Sequence, residues 1–244
     1  MNARTIGSAL AAVSVALMCL TGCVTKDVDD VPPESRRFEV AGDHVTITGD
    51  SGQVDLTPAD VDDVEVTRWF TGDSDEATWQ MSSDELRLST DCGFLSSCDV
   101  RYEIRVPHNL EVTATGDSSD IKASGFDTTV NVETDNGSIV LDEMTGDLTI
   151  VSSSGNQTLS GITSTNIDTK AENGQIEIAL DSPAESLRVE TQNGDVSVEA
   201  PEAGYALTTD TENGSIDNEL NNDSASNNTI DIATENGKIT LASR

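Results

Sequence analysis

The chain is poor in aromatic residues, in basic residues and in histidine, and each shortage narrows what the protein can be. Aromatics make up only 3% of 244 residues, so Val, Ile and Leu must supply most of the apolar packing, as in proteins built from many short strands. Lys and Arg number 13 against 45 Asp and Glu, a formal net charge of -32 at pH 7. Such a surface repels nucleic acid and anionic lipid head groups, so we expect neither as a partner.

Patterns that carry catalytic chemistry are also missing. The tripeptide GDS begins at Gly49, Gly72 and Gly116, and the first copy reads GDSG as in trypsin-like proteases. A serine nucleophile needs a histidine base and an aspartate, but Ser51 has only His44 nearby. Walker, Rossmann and HExxH patterns are absent, and the glycine-rich nonapeptide of calcium-binding solenoids is not found. The sequence therefore predicts no enzyme, no cofactor and no metal site.

The N-terminal segment carries targeting information. Residues 1–22 have a short basic start and an apolar run that is too short for a transmembrane span, and we interpret them as a signal peptide. The run ends in LTGC, which is similar to a bacterial lipobox and predicts lipidation of Cys23; an ordinary signal peptide that happens to contain a cysteine is the alternative. Residues 23–37, with Pro32 and Pro33, read as an acidic tether. These features predict a lipid anchor on the outer face of the cell membrane.

The remaining cysteines fit that compartment. Cys19 leaves with the signal peptide, which leaves Cys92 and Cys98 as an even pair after the lipidated residue. A disulfide across this small loop is expected outside the cytoplasm and contributes about 2 kcal/mol. A metal site is the rival interpretation, but it needs two further ligands, and His44 and His108 have no ligand spacing to the cysteines.

The second half of the chain repeats with a period near 20 residues. Each copy is marked by a glycine that usually follows Asn, and the markers are Gly137, Gly155, Gly174, Gly194, Gly214 and Gly237. Apolar residues recur two and four positions after each marker and five and seven positions before it. Exceptions stand at Gln157, Thr169, Thr209 and Asn218. This alternation predicts a strand, a corner and a second strand in every copy, each with one face inward.

Two arrangements of these strands are consistent with the pattern. Antiparallel hairpin repeats would use the Asn-Gly pairs as two-residue turns, whereas an all-β solenoid of about seven to nine coils would stack like residues in rows. We favour the solenoid because the copies resemble one another row by row. Earlier copies surround Gly52 and Ser119, and a weaker one surrounds Asp84. We therefore divide the β domain into residues 38–110, which contain the cysteine pair and most aromatics, and the regular repeats of residues 111–244.

The marker glycines are interpreted as structural turns. Glycine tolerates the positive φ of a tight corner, and Asn is the next most tolerant residue. The carboxylates beside the marker, such as Glu172, Glu212 and Glu235, are replaced by Gln192 and Ser153 in other copies, which a ligand role would not readily permit. The sequence thus predicts a row of corners and not a row of binding sites.

The repeated NG-x-[IV]-x-[VIL] pattern, together with the lipobox, the C-x5-C spacing and the YEIRVP stretch, resembles the bacterial family labelled "putative adhesin" over residues 38–244. The resemblance implies a repetitive β-solenoid and carries no established catalytic residues. Two function classes follow. The first is a non-enzymatic surface module, adhesive or scaffolding, that binds an envelope protein or polymer on its flat sides. The second is an extracytoplasmic sensor or accessory subunit of a signalling or transport system.

Overall fold

The computed structural model describes residues 27–72, 77–90 and 98–244. Apart from a short 3-10 helix at Val28–Asp30, the regular structure of these residues is all β. The strands are β1 (Glu34–Phe38), β2 (His44–Ala59), β3 (Val64–Phe70), β4 (Ala77–Ser82), β5 (Glu85–Thr90), β6 (Val100–Pro107), β7 (Glu111–Ser124), β8 (Val130–Asn136), β9 (Ile139–Asp142), β10 (Leu148–Ser154), β11 (Gln157–Ile162), β12 (Asn166–Asn173), β13 (Ile176–Leu180), β14 (Ser186–Asn193), β15 (Val196–Ala200), β16 (Gly204–Asn213), β17 (Ile216–Asn218), β18 (Asn221–Asn222), β19 (Thr229–Asn236) and β20 (Ile239–Ser243).

The repeats form a β-solenoid, as the row-by-row likeness predicts. Each repeat is one rung with a first arm, a corner at the marker glycine and a second arm. First arms pair in parallel with first arms, so that Leu148 of β10 lies between Val130 of β8 and Ile167 of β12. Second arms do the same, through β9, β11, β13 and β15. The antiparallel alternative for the repeats is wrong, because each copy pairs in parallel with the next.

The order of rungs in space differs from their order in the chain at both ends. The last rung of the chain, β19 and β20, lies between β14 and β15 on one side and β16 and β17 on the other. At the other end, β2 lies between β7 and the rung made by β5 and β6. The described residues contain nine rungs, in the order β5–β6, β2, β7, β8–β9, β10–β11, β12–β13, β14–β15, β19–β20 and β16–β17, within the predicted seven to nine.

The inner faces of the arms explain this exchange at the C-terminal end. The inward side chains of β19 and β20 are aliphatic except for Thr234 beside the corner, and Ile230, Ile232 and Ile239 are at most 1% exposed. The rung of β16 and β17 instead carries Thr209 and Asn218 at the equivalent inward positions. An apolar rung gains most when both of its sides are covered, whereas a terminal repeat must tolerate water on one side. Placing the polar rung last satisfies both conditions.

The N-terminal end has a different construction. β3 pairs antiparallel with β6, and β1 pairs antiparallel with β3. β4 and β5 form an antiparallel hairpin whose two loop residues, Ser83 and Asp84, have φ of 52° and 62°. The weaker repeat copy around Asp84 is therefore a wrong prediction, because positive φ at both loop residues makes a tight hairpin and not a rung corner. β1 begins at Glu34, so ordered β structure starts before residue 38, inside the segment interpreted as a tether.

Candidate functional site

The corners of the solenoid stack into a single column of glycines. The corner column consists of Gly137, Gly155, Gly174, Gly194, Gly237 and Gly214, in spatial order. A Cβ added at Gly194 would lie 1.8 Å from the carbonyl oxygen of Gly174, and one added at Gly237 would lie 2.0 Å from that of Gly194. Any side chain here would displace the backbone of the neighbouring rung. Glycine is thus required because two backbones approach closely.

This reason differs from the one that the sequence suggested. Gly137, Gly155 and Gly174 do have positive φ, at 154°, 138° and 140°. Gly194, Gly214 and Gly237 lie outside the left-handed region, yet their added Cβ atoms would meet backbone at the same short distances. Positive φ therefore explains only part of the column, and the steric limit between rungs explains all of it. Gly52 follows the same rule, since its added Cβ would lie 2.5 Å from the carbonyl oxygen of Val100.

The asparagine before each marker forms a ladder along the corner column. Asn193 Nδ2 donates to Asn173 Oδ1 at 3.1 Å, and Asn236 Nδ2 donates to Asn193 Oδ1 at 2.9 Å. Asn213 Nδ2 then donates to Asn236 Oδ1 at 3.1 Å. The ladder follows the spatial order of the rungs, with residue 236 between 193 and 213. The recurring Asn-Gly therefore bonds one rung to the next, which answers why both residues repeat together.

The backbone beside the ladder is also bonded between rungs. The marker nitrogen donates to the carbonyl oxygen of the asparagine, or serine, in the next rung at five of the six corners; these bonds are Gly137 to Ser154, Gly155 to Asn173, Gly174 to Asn193, Gly194 to Asn236 and Gly237 to Asn213. Gly214 belongs to the last rung, and no acceptor for its nitrogen lies in the described part of the chain. The corner column thus ends with one unused donor.

Gln157 and Thr169, which are polar residues at apolar positions of the regular core, are hydrogen-bonded to each other. Gln157 is fully buried, and its Nε2 donates to Ser152 Oγ at 2.8 Å and to the Lys170 carbonyl oxygen at 2.9 Å. Thr169, in the next rung, donates its hydroxyl to Gln157 Oε1. Each deviation from the apolar columns therefore satisfies the other, and the group leaves no polar atom of Gln157 unpaired.

The carboxylates beside the marker glycines lie on a surface other than the asparagine ladder. They line an open groove of about 520 Å³ across β10, β12, β14, β19 and β16. The acidic residues of this groove are Glu172, Glu190, Asp210, Glu212 and Glu235. Hydrogen bonding to Arg188 lowers the pKa of Glu190 below its ordinary value. No group of three His, Cys, Asp or Glu side chains in the described residues is arranged to hold a metal ion.

The solenoid is uncovered where the rungs end. We call the last rung, β16 from residue 206 and β17 with the corner between them, the open end. Its strands pair with β19 and β20 on one edge, and no described strand pairs with the other edge. Ile216 is 44% exposed there, whereas Ile239 at the equivalent position one rung below is fully buried. The open end therefore presents unpaired backbone groups beside a partly exposed apolar side chain.

The open end is also acidic. Asp210 and Glu212 lie on β16, Asp217 lies on β17 and Glu219 directly follows β17, and residues 204–236 contain no Lys or Arg. Lys238, one rung below, approaches Asp217 at 3.6 Å, which leaves the other three carboxylates without an ion pair in the described structure. The charge at this edge is consequently of one sign.

The opposite end of the solenoid is closed by side chains. Arg68 is only 3% exposed and donates to the Ala77 carbonyl oxygen and to Glu34, both at 2.6 Å. Its guanidinium lies 4.6 Å from the ring centroid of Trp79, which also contacts Phe38 edge to face. Beneath this layer, burial raises the pKa of Tyr102 above its ordinary value of 10.0. The aromatic bias of the N-terminal region thus corresponds to a packed cap.

The other residues singled out in the sequence do not form a site. Cys23 and Cys92 lie outside the described residues, so the lipid anchor and the pairing of Cys92 with Cys98 stay predictions. His44 Nε2 lies 3.1 Å from Thr46 Oγ1, while Ser51 is paired in register with Ser118 of β7. Residue 98 lies two positions before the first residue of β6, next to the N-terminal cap. What the sequence missed is the open end, although the polar residues at positions 209 and 218 were a visible signal of it.

Comparison with known proteins adds a family and a fold. The family model described as Toastrack DUF4097 matches residues 31–242. A solved structure named "putative adhesin", from Bacteroides fragilis NCTC 9343, is similar with a TM-score of 0.50 at 12% identity, covering 87% of this chain and 97% of that one. Another "putative adhesin", from Parabacteroides distasonis ATCC 8503, has a TM-score of 0.46 at 12% identity, covering 86% and 98%. Likeness at this identity concerns the fold alone. No curated protein matches the sequence, and no helix among the described residues is long and apolar enough to cross a bilayer.

Proposed function

Because this chain belongs to the Toastrack DUF4097 family, we propose that it is a non-enzymatic binding or scaffolding module, held by lipid on Cys23 at the outer face of the bacterial cell membrane. Its acidic solenoid binds a partner protein at the open end. The partner adds an extended strand that carries Lys or Arg. The observation that supports this proposal is the unpaired, acidic edge of β16 and β17.

Strand addition fits the chemistry of this edge. Apart from the Leu207 N–H, which donates to Asn222 Oδ1 at 3.5 Å, the unpaired N–H and C=O groups of β16 offer main-chain hydrogen bonds, and alternate side chains of an added strand would face inward and outward. An inward apolar side chain would cover Ile216, which is 44% exposed, and contribute about 1 kcal/mol. Outward basic side chains would lie beside Asp210 and Glu212. Such complementarity raises the rate and specificity of association more than its affinity.

The corner column restricts which strand can bind. At each lower corner, the marker carbonyl oxygen occupies the space that a Cβ in the adjacent rung would need, as Gly194 O does toward Gly237. The carbonyl oxygen of Gly214 presents the same obstacle to whatever covers the open end. A partner strand that continues from one arm to the other must therefore carry glycine at the corner, or end before it. Within the described residues, the flat sides of the solenoid, which the sequence suggested as the binding face, offer no comparable set of unpaired backbone groups.

Charge reversal at matched positions tests the proposal. In the test variant, Asp210→Lys and Glu212→Lys change the open end. In the control, Glu133→Lys and Asp135→Lys make the same changes at the equivalent positions of β8, in the middle of the solenoid. A synthetic extended peptide that alternates Lys with Val is titrated against each folded protein. We expect the test variant to bind at least about tenfold more weakly than the control.

The natural partner is then sought by crosslinking in the native membrane. A protein captured by wild type and by the control variant, but not by the test variant, would be an open-end partner. If that protein is a membrane kinase or transporter, the role is that of a sensor or accessory subunit. If the captured partner is instead an envelope polymer or the carrier of one, the role is adhesive or scaffolding. Equal loss of peptide binding in both variants would refute the open end as the site, because net charge alone would then explain the binding.

A further inference from the structure

The described structure contains five Asn-Gly pairs in nearly equivalent corners, and their chemistry differs. Asparagine is a thermolabile residue. When glycine follows it, no side chain hinders attack of the following backbone nitrogen on the asparagine Cγ. The pairs are Asn136-Gly137, Asn173-Gly174, Asn193-Gly194, Asn213-Gly214 and Asn236-Gly237. They provide an internal series in which the Asn-Gly pair is constant and its structural environment varies.

Four of the five glycine nitrogens are held away from this reaction. Their N–H groups donate to carbonyl oxygens of the adjacent rung, at 3.1 Å for Gly137, 3.0 Å for Gly174, 3.0 Å for Gly194 and 3.2 Å for Gly237. The nitrogen must lose its proton and rotate toward Cγ to react, and both changes break the bond between rungs. The corner would therefore have to open locally before the reaction. The rate of deamidation at these sites is then reduced in proportion to the fraction of molecules in the open form.

Gly214 lacks this protection. Its nitrogen has no acceptor in the described part of the chain, because no rung covers the open end. Asn213 is exposed, and its side chain is held at one point only, through Nδ2 to Asn236 Oδ1 at 3.1 Å. The Oδ1 atoms of Asn173, Asn193 and Asn236 each accept from the next ladder member, whereas Oδ1 of Asn213 accepts nothing there.

We propose that Asn213 is a site of spontaneous deamidation. The Gly214 nitrogen gives its proton to water and forms a bond to Cγ of Asn213. The Cγ–Nδ2 bond then breaks, and ammonia leaves with a proton from water. The resulting succinimide is hydrolysed at either carbonyl, which yields aspartate or isoaspartate. The net reaction consumes one water and releases one ammonia, and nothing is oxidised or reduced.

The modification changes the end of the solenoid. A carboxylate at residue 213 cannot donate to Asn236 Oδ1, so the last contact of the asparagine ladder is lost. A further negative charge appears beside Glu212. Isoaspartate also lengthens the backbone at the corner by one methylene, which moves the two arms of the last rung relative to each other. The inference does not depend on the proposed function, since it concerns the free protein.

Site-resolved mass spectrometry tests the inference on the intact folded chain. The purified protein is incubated in mildly alkaline buffer, digested, and each Asn-Gly peptide is followed for the mass gain of an amide-to-acid conversion. We expect Asn213 to convert at least about tenfold faster than Asn173, Asn193 and Asn236. In concentrated urea the five sites should convert at similar rates, because the bonds between rungs are gone. An isoaspartyl methyltransferase assay then identifies the isoaspartate fraction.

The variant Asn213→Gln serves as the assignment control. Cyclisation of glutamine would close a six-membered ring, which forms much more slowly, so the fast signal should disappear from that peptide. Conversion of Asn213 at the same rate as the ladder interior in the folded protein would overturn the inference. A rate difference that persisted in urea would also overturn it, because local sequence and not the uncovered corner would then be the cause.

Discussion

Replacing Gly194 with alanine tests the steric account of the corner column. The added Cβ would lie 1.8 Å from the carbonyl oxygen and 2.8 Å from the carbonyl carbon of Gly174. Ordinary contact needs well over 3 Å, so the two rungs must separate by more than about 1 Å within a sheet whose strands are about 4.8 Å apart. This movement weakens the Gly174 N–H bond to the Asn193 carbonyl oxygen, now 3.0 Å, and the ladder bond from Asn193 Nδ2 to Asn173 Oδ1.

The expected loss of stability combines these effects. Two weakened hydrogen bonds cost about 1 kcal/mol each, and overpacking adds about 1–3 kcal/mol, so Gly194→Ala should lower the free energy of unfolding by about 3–5 kcal/mol. Gly125→Ala is the matched control. Gly125 has φ of 77°, but its added Cβ would meet only Pro58, at 3.8 Å. This variant has backbone strain but no steric clash, and its free energy of unfolding should fall by about 1 kcal/mol.

Equilibrium urea unfolding followed by circular dichroism measures both losses, with the m value checked because repeat proteins can lose cooperativity. If Gly125→Ala cost as much as Gly194→Ala or more, left-handed backbone conformation would be the decisive factor. The close approach of rungs would then not be the reason for glycine in the column.

Four further outcomes are expected. Thr169→Val should lower the free energy of unfolding in urea by about 1–3 kcal/mol, because Gln157 Oε1 is left buried without a donor. Adding Gln157→Ile to this variant should restore most of the lost stability. The contribution of Tyr102 to stability should be constant below about pH 10 and should be lost as pH rises through the raised pKa of Tyr102, because the unfolded chain ionises first; urea unfolding at each pH measures the loss, and a spectrophotometric tyrosine titration follows the ionisation. Cys23→Ser should move the protein from the membrane fraction to the medium or leave it as uncleaved precursor, as fractionation and blotting would show. Thermal stability should rise gradually with sodium chloride, with calcium and magnesium acting alike and without early saturation. The formal charge becomes -33 if the predicted signal peptide and its one basic residue are removed, and salt screens this charge over a Debye length of about 8 Å.

Each of these expectations has a result that would contradict it. If the double variant Thr169→Val, Gln157→Ile were no more stable than Thr169→Val alone, the two buried polar residues would not be stabilised by each other. Ionisation of every tyrosine at its ordinary pKa would show that Tyr102 is not buried as described. Correct processing and membrane retention of Cys23→Ser would reject the lipobox. Saturation with calcium alone in the micromolar range would replace diffuse screening with a specific site.

The repeat was readable from sequence because its cause is local and periodic. Side chains two and four positions after the marker alternate with polar ones, and one face of a strand must be apolar when rungs stack. The regular positions around Gly174 and Gly194, for example, contain only Ile and Val two and four places later, and all four side chains are at most 2% exposed. The parallel arrangement was also favoured correctly, since only stacking of equivalent rows explains why the copies resemble one another.

The candidate site was less accessible to the same reasoning. The sequence predicted that glycine serves the corner, but it attributed the requirement to φ, which is a property of one residue. The requirement is between rungs: Gly237 must fit against Gly194, although 43 positions separate them. The Asn-Gly pairs looked alike in sequence, and their different protection depends on which neighbour covers each one.

Sequence alone determined that this chain is acidic and poor in aromatics and that it repeats with glycine at every regular corner, and it favoured a stack of about seven to nine similar coils, because composition and period act within each repeat. Only the tertiary structure decided which rung is last. The strands β19 and β20 follow β16 and β17 in the chain but are inserted beneath them, since a mainly aliphatic rung is buried best with neighbours on both sides and the rung carrying Thr209 and Asn218 tolerates water. That choice leaves Ile216 exposed, Gly214 without an acceptor and an acidic edge unpaired, because covering depends on long-range pairing that no repeat encodes by itself.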